Sequence, residues 1–346
     1  MPNLPEAFLS RMRAQLGEAQ FAAYLSAMQE QPKRALRVNQ IKTTAEAFSA
    51  QADFSLTPTE ILPESFFFED GVAIGRHPLH AAGLCYVQEP AAQLPAALTG
   101  AGASMNVLDL CAAPGGKTTQ LAAMMQNTGL LVANEPVRSR AEVLAGNIER
   151  LGVRNALVLS MRPDALAAAL GACFDIVLVD APCSGEGMFR RDPAARGEWT
   201  EGAPAGCARR QTAILDEAAK MVAPGGRLVY STCTFGEAEN EGVVRTFLAR
   251  HPEFSPRDFS LPGLGASENG MLRVMPHRVR CDGQFAALLG KAGAPIPLET
   301  PPVPDAPSRA AAARSISAPD AGGVLSKPTC STAVPASTSP SGRGPR

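Results

Sequence analysis

Val177-Leu178-Val179-Asp180-Ala181-Pro182-Cys183-Ser184-Gly185-Glu186-Gly187 is an apolar run that ends in a carboxylate, turns at a proline and presents a thiol ahead of two glycines. A buried strand that delivers reactive groups to the edge of a sheet has this form. Taken alone, the stretch makes Cys183 the obvious nucleophile. Outward from it, apolar runs fit strands at 106–110, 130–134, 155–159, 174–180 and 227–231. Periodic segments between them fit helices at 118–126, 137–151, 163–170 and 209–222. Strand and helix in alternation imply an α/β fold, a parallel sheet covered on both faces, with ligands at the carboxyl ends of its strands.

Upstream, Val107-Leu108-Asp109-Leu110 reads as a buried strand, and Cys111-Ala112-Ala113-Pro114-Gly115-Gly116-Lys117-Thr118 as a small-residue turn that opens a helix. Small side chains let a ligand approach the backbone, whose N–H groups at a helix start favour anionic or carboxylate groups. The competing reading, a phosphate-cradling GxxxxGK(S/T) loop, fails at its first position, which is Cys111. The next strand ends at Ala133-Asn134-Glu135. An acid at the tip of a second strand can accept hydrogen bonds from ribose hydroxyls; the competing reading of Glu135 is a helix N-terminal acid held by the dipole. Turn and acid together support a nucleoside cofactor, and the lack of a GxGxxG pattern favours S-adenosylmethionine over NAD.

Leu228-Val229-Tyr230-Ser231-Thr232-Cys233-Thr234-Phe235 repeats the first arrangement, a buried strand ending in a thiol. In a parallel sheet both tips face one edge, so Cys183 and Cys233 can flank one pocket. The other cysteines, among eight in all, show no CxxC pair and no histidine spaced to join them. Neither a disulfide framework nor a zinc site is expected, and each reads as a small buried hydrophobe.

The 346 residues, 45% of them apolar, suffice for one large domain or two smaller ones. No apolar run approaches the roughly 20 residues that span a bilayer, and the N-terminus lacks a signal-peptide pattern, so a cytoplasmic location is expected. A net charge of −1 gives no global attraction to nucleic acid. Lys33, Arg34, Arg37 and Lys42 nevertheless form one unopposed basic cluster, and Arg273, Arg278 and Arg280 another. Residues 6–29 have the spacing of one or two short amphipathic helices stopped by Pro32. Leu36–Lys42 alternates like a half-buried strand with a basic outer face, either tracking phosphates or protecting a sheet edge. Residues 51–80 read as strands and turns, and 91–98 as a helix. Beyond 290 there is no aromatic residue and proline, serine and alanine dominate, which predicts a disordered tail over 291–346.

The motifs at 111–118, 180–187 and 231–235 resemble those of the NOL1/NOP2/Sun family of RNA cytosine-5 methyltransferases. Leu4-Pro5-Glu6-Ala7-Phe8, Leu36-Arg37-Val38-Asn39 and Tyr86-Val87-Gln88-Glu89-Pro90 resemble its bacterial ribosomal-RNA branch. The resemblance covers about residues 4–290 and implies a Rossmann-like, S-adenosylmethionine-dependent methyltransferase domain over 81–290. It also implies a small α+β RNA-binding subdomain over 1–80, with the tail standing where many relatives continue into an RNA-binding domain. C5 of cytosine is a poor nucleophile until a thiolate adds to C6, and its proton must later be eliminated. In families that methylate DNA the Pro-Cys thiol attacks. The RNA family implies Cys233 as nucleophile and Cys183 as the residue of release. Asp180 would then bind the polar edge of the flipped base and Lys117 orient base or cofactor. The implied cofactor set is Cys111, Ala112, Ala113, Pro114, Gly115, Gly116, Lys117, Glu135, Arg140, Asp164 and Asp180, with Asp164 in the place of an acid near the adenine. No metal is expected. The expected partner is RNA, ribosomal RNA or the small ribosomal subunit first and tRNA second, bound by a monomer. A non-catalytic ribosome-assembly factor and a DNA methyltransferase are the other readings.

Overall fold

The computed structural model describes residues 4–261 and 263–294. Of the segment expected to be a disordered tail, residues 295–346 lie outside the described residues. Helix α1, Glu6–Gln29, is broken at Gly17, whose φ of 71° suits glycine, so the segment is two short helices in series. Its Phe8, Met12, Phe21, Tyr24 and Met28 pack against Phe189, Phe235 and Met275.

Four short strands follow: β1 (Ala35–Val38), β2 (Leu56–Pro58), β3 (Ser65–Phe68) and β4 (Cys85–Val87). Helices α2 (Ala45–Gln51) and α3 (Pro78–Ala81) lie among them, and α4 (Leu94–Leu98) comes after. The strands form an antiparallel sheet in the order β2-β3-β1-β4. Because β4 belongs to this sheet, the small layer continues past the boundary expected at residue 80.

The larger sheet is built from β5 (Asn106–Asp109), β6 (Leu130–Asn134), β7 (Ala156–Leu159), β8 (Phe174–Asp180) and β9 (Val222–Thr232), all parallel. Between them run α5 (Gly116–Met124), α6 (Arg138–Leu151), α7 (Pro163–Leu170), α8 (Pro193–Glu198) and α9 (Ala203–Met221). The chain continues through α10 (Glu241–Arg250), β10 (Phe254–Pro256), a minor hairpin β11 (Ser260–Leu261) and β12 (Gly265–Ala266), then β13 (Met271–Val274) and β14 (Gln284–Lys291). The strand order is β10-β14-β9-β8-β5-β6-β7, with β13 on β14; β14 is antiparallel to β9, β10 and β13. This is the Rossmann-like sheet with an antiparallel extension. Among the described residues no helix is long and apolar enough to cross a membrane.

Side chains alternate across the sheet as the strand period requires. Val177, Val179, Leu228 and Tyr230 enter one buried layer with Leu215 and Phe247. Ile176, Leu178 and Val229 enter the other with Leu121 and Met125. From β5 the chain winds outward to β7 and then returns to β8 on the opposite side of β5. The β5–β8 boundary is therefore the topological switch point, where a crevice opens at the carboxyl ends of the strands. Gly225-Gly226 lies at an irregularity inside β9: Phe174 pairs with Val222 and Ile176 already with Arg227. Helix α9 starts earlier than expected because its Pro204 lies in the first turn, where no N–H partner is needed.

The basic strand is corrected in both of its readings. β1 lies inside its sheet, all four of its residues are buried, and Arg37 is 1% exposed. Its guanidinium donates to Gln88 Oε1 (3.1 Å), Gly116 O (3.1 Å) and Thr119 Oγ1 (2.9 Å), so it ties the small sheet to the start of α5. Burial lowers its pKa to about 10. Lys42 Nζ donates to Ala82 O (2.8 Å) and Arg150 O (2.7 Å), and Arg34 to Val72 O (2.9 Å). Of the first basic cluster Arg37 is internal mortar, while Lys33 and Lys42 stay exposed. Replacing Arg37 by Met strands these buried acceptors, each worth about 1–3 kcal/mol when left unpaired. Urea denaturation of Arg37→Met should show a loss of about 2–4 kcal/mol, and an unchanged midpoint would contradict the role of this tie.

Candidate active site

β5, β8 and β9 end at one sheet edge, and each hands over a different chemistry. After β5 the chain makes the 110–115 turn, in which Gly115 sits at φ 110° with Leu144 Cδ1 3.1 Å from where a Cβ would stand. The first turn of α5 then presents N–H groups toward the crevice. Asp109 and Thr118 are both fully buried, and the Thr118 hydroxyl donates to Asp109 Oδ2 at 2.7 Å. Burial pushes the Asp109 carboxyl up to about 7, against the opposing pull of Thr118 and Lys117.

Lys117 Nζ crosses the switch point to Asp180 Oδ2 at 2.6 Å. Burial opposes the Lys117 charge, but attraction and hydrogen bonding to Asp180, reinforced by Asp109, hold the ammonium above its ordinary range. The second Asp180 oxygen accepts from Ser231 Oγ at 2.7 Å and from Gln284 Nε2 at 3.4 Å. Asp180 is also the cross-strand partner of Ser231. That register brings the following loops together, and Cys183 Sγ lies 3.3 Å from Cys233 Sγ. The Cys183 thiol is pushed well above its usual range by its hydrogen bond with Cys233, then by burial and the neighbouring negative charges.

Cys111, Ala112, Ala113, Pro114, Gly116, Lys117 and Asp180 line a cleft of about 230 Å³, walled on its other side by Tyr86 and Gln88. Gly115 shapes the turn from outside that lining. Glu135, buried at the tip of β6, accepts from Val137 N (3.0 Å) and faces Arg140 Nη1 (3.2 Å), while Arg140 Nη2 donates to Ala113 O (3.2 Å). Both therefore brace the same turn. Asp164 is not brought to the cleft: its exposed carboxylate pairs with Arg162 at 3.1 Å. Cys111 is held protonated by burial and by the carboxylates of Asp109, Asp180 and Glu135.

Four neighbours escaped sequence reasoning: Ser184, Gln211, Glu239 and Gln284. Glu239 Oε1 accepts from Ser184 N (2.9 Å) and Gln211 Nε2 (3.0 Å). Its position just after the 231–235 motif was the one available signal.

Residues 99–290 match the family described as 16S rRNA methyltransferase RsmB/F, and residues 4–90 match the N-terminal domain of 16S rRNA methyltransferase RsmF. The chain belongs to the 16S rRNA methyltransferase RsmB/F family. It is 40% identical over 313 residues to ribosomal RNA small subunit methyltransferase F of Cronobacter sakazakii, which covers 86% of this chain and 65% of that protein. The protein of the same name from an Escherichia coli O17:K52:H18 strain is 40% identical over 312 residues with the same coverage. This RsmB/F chain thus spans about 65% of the length of those relatives. Among solved structures, a methyltransferase homolog protein from Pyrococcus horikoshii matches with a TM-score of 0.71 at 27% identity, covering 84% of this chain and 96% of that one.

The raised Asp109 carboxyl makes a signed prediction for this RsmB/F chain. The folded state binds that proton more tightly than the unfolded chain does, so the contribution to stability is present below the ordinary carboxyl pKa and lost as pH rises toward 7. Asp109→Asn keeps an acceptor for Thr118 and cannot ionise. Its stability relative to wild type should improve between pH 4 and pH 8 by on the order of 2–4 kcal/mol. Urea midpoints at the two pH values measure it; parallel profiles for the two proteins would refute it.

Proposed function

We propose that this chain transfers the methyl group of S-adenosylmethionine to C5 of a cytosine in small-subunit ribosomal RNA, through a covalent bond between Cys233 Sγ and C6. The observation that carries the reading is the pair of thiols 3.3 Å apart beside the Lys117–Asp180 ion pair at the switch point. The substrate class is supported by the names of the relatives, ribosomal RNA small subunit methyltransferase F.

The donor set fits this cofactor. The small-residue turn and the α5 N-terminus suit its carboxylate, and Glu135, steadied by Arg140, suits ribose hydroxyls. S-adenosylmethionine, when bound, supplies an electrophilic methyl group on a sulfonium. The residues do the rest. Cys233, as thiolate, adds to C6 and makes C5 enamine-like, so that C5 forms the new bond to carbon. Asp180, fixed by Ser231 and Lys117, offers a carboxylate to the amino edge of the extruded base, while Lys117 holds that carboxylate in place. Cys183, after giving its own proton to solvent, then takes the C5 proton as thiolate, a strong base because its surroundings favour the protonated form. The C5–H electron pair restores the C5–C6 double bond as the C6–S bond breaks and Cys233 leaves.

The two thiols separate in a simple experiment. With a small-subunit RNA fragment as substrate, Cys233→Ala should give no 5-methylcytosine by nucleoside mass spectrometry. Cys183→Ala should instead build up a protein–RNA adduct that survives a denaturing gel, because addition proceeds and elimination stalls. Methylation retained in Cys233→Ala would move the attack to another residue, and adduct-free turnover in Cys183→Ala would remove its role in release.

A further inference from the structure

We propose that Glu239 is the positioning residue of the two-thiol site, its carboxylate holding the loop of Cys183 in register with the segment of Cys233. The proposal rests on the catalytic reading above. Glu239 is fully buried, yet among the described residues no ion pair gives its carboxylate a cation. Its partners are instead hydrogen-bond donors of the Cys183 loop and of α9. Oε1 accepts from the backbone N–H of Ser184 at 2.9 Å, and Oε2 from the hydroxyl of the same residue. That hydroxyl also lies 2.8 Å from Thr234 Oγ1. Ser184 follows Cys183 and Thr234 follows Cys233, so the carboxylate holds the residue after the first sulfur directly and the residue after the second through the Ser184 hydroxyl.

Two further contacts make the arrangement a clamp. Gln211 Nε2 donates both to Glu239 Oε1 (3.0 Å) and to the carbonyl of Pro182 (3.0 Å), the residue before Cys183. Tyr230 on β9 donates its hydroxyl to the Glu239 carbonyl at 2.6 Å, which fixes the backbone that carries the acid. An acceptor-only group serves because three N–H or O–H groups converge on its two oxygens. Burial raises the Glu239 pKa, opposed by the hydrogen bonds from Ser184 and Gln211. Reactions between two held groups fall off steeply when either is allowed to wander, so the clamp acts on chemistry through the sulfur separation.

The sulfur separation can be read without any RNA. Hydrogen peroxide oxidises two thiols to a disulfide and is reduced to two waters, and the Cys183–Cys233 disulfide is scored by peptide mass after thiol capping. Wild type, Glu239→Ala, Glu239→Gln and Ser184→Ala would be compared for disulfide rate, single-turnover methyl transfer and S-adenosylmethionine affinity by calorimetry. Glu239→Ala should slow both disulfide formation and methyl transfer about tenfold or more, with cofactor affinity unchanged. Glu239→Gln should restore most of both, because its amide oxygen accepts from Ser184 N and Gln211 while the Ser184 hydroxyl rotates to accept from its NH2. Ser184→Ala carries the comparison if Glu239→Ala fails to fold. Disulfide rates equal to wild type in Glu239→Ala or Ser184→Ala overturn the proposal, as does a Glu239→Gln protein as impaired as the alanine. If wild type forms the disulfide in a Glu239-dependent manner but methylates no RNA, the catalytic reading falls and the clamp stands.

Discussion

The parallel pairing of β8 with β9 is the constraint on which the rest depends. It sets Asp180 opposite Ser231, and so makes the two loops that follow leave the sheet side by side at one edge. A slip of one residue would turn Asp180 and Ser231 to opposite faces. The register is specified by what each strand buries: Val177 and Val179 enter one core layer while Ile176 and Leu178 enter the other, and β9 alternates in step. The hydrophobic pattern of two strands therefore sets the two thiol-bearing loops side by side. No cysteine is needed to achieve it.

Upon that frame the polar interior works as a set of cross-ties between segments far apart in sequence. Arg37 joins the small sheet to α5, Lys117 joins α5 to β8, and Gln284 reaches Asp180 from the antiparallel extension. Asp282 likewise receives Arg190 and Arg191, while its own N–H donates to Glu89. Each of these charges is costly to desolvate, and the bonds it makes offset that cost. The consequence is rigidity where the chemistry needs fixed geometry.

The local signals were legible. β6, β8 and α7 have the bounds that periodicity gave them, and the two thiols, Asp180 and Lys117 do converge. What could not be read is what long-range contact decides. Alternation at Leu36–Lys42 suggested an exposed basic face, because nothing in seven residues reveals that Gln88, Gly116 and Thr119 wait to receive Arg37. β4 falls across the expected boundary at 80, because strand pairing and not composition closes the small sheet. Asp164 was chosen by its place at a strand tip, but its nearest partner, Arg162, turns it outward. Glu239, Gln211 and Gln284 stand in stretches with no motif of their own.

The same contacts bear on the proposed division of labour between the two thiols. Cys183 has the sequence setting of a nucleophile, a thiol on a proline turn at the end of a buried strand. Its surroundings, however, hold protons: Cys233 hydrogen-bonds to it, it is buried, and the Glu239 carboxylate stands behind its loop. A thiol held in this way is slow to ionise and, once ionised, strongly basic. Attack on a carbon needs available thiolate, whereas removal of a carbon-bound proton needs basicity. In the proposed mechanism the environment of Cys183 suits the second task, and its partner across the 3.3 Å gap takes the first.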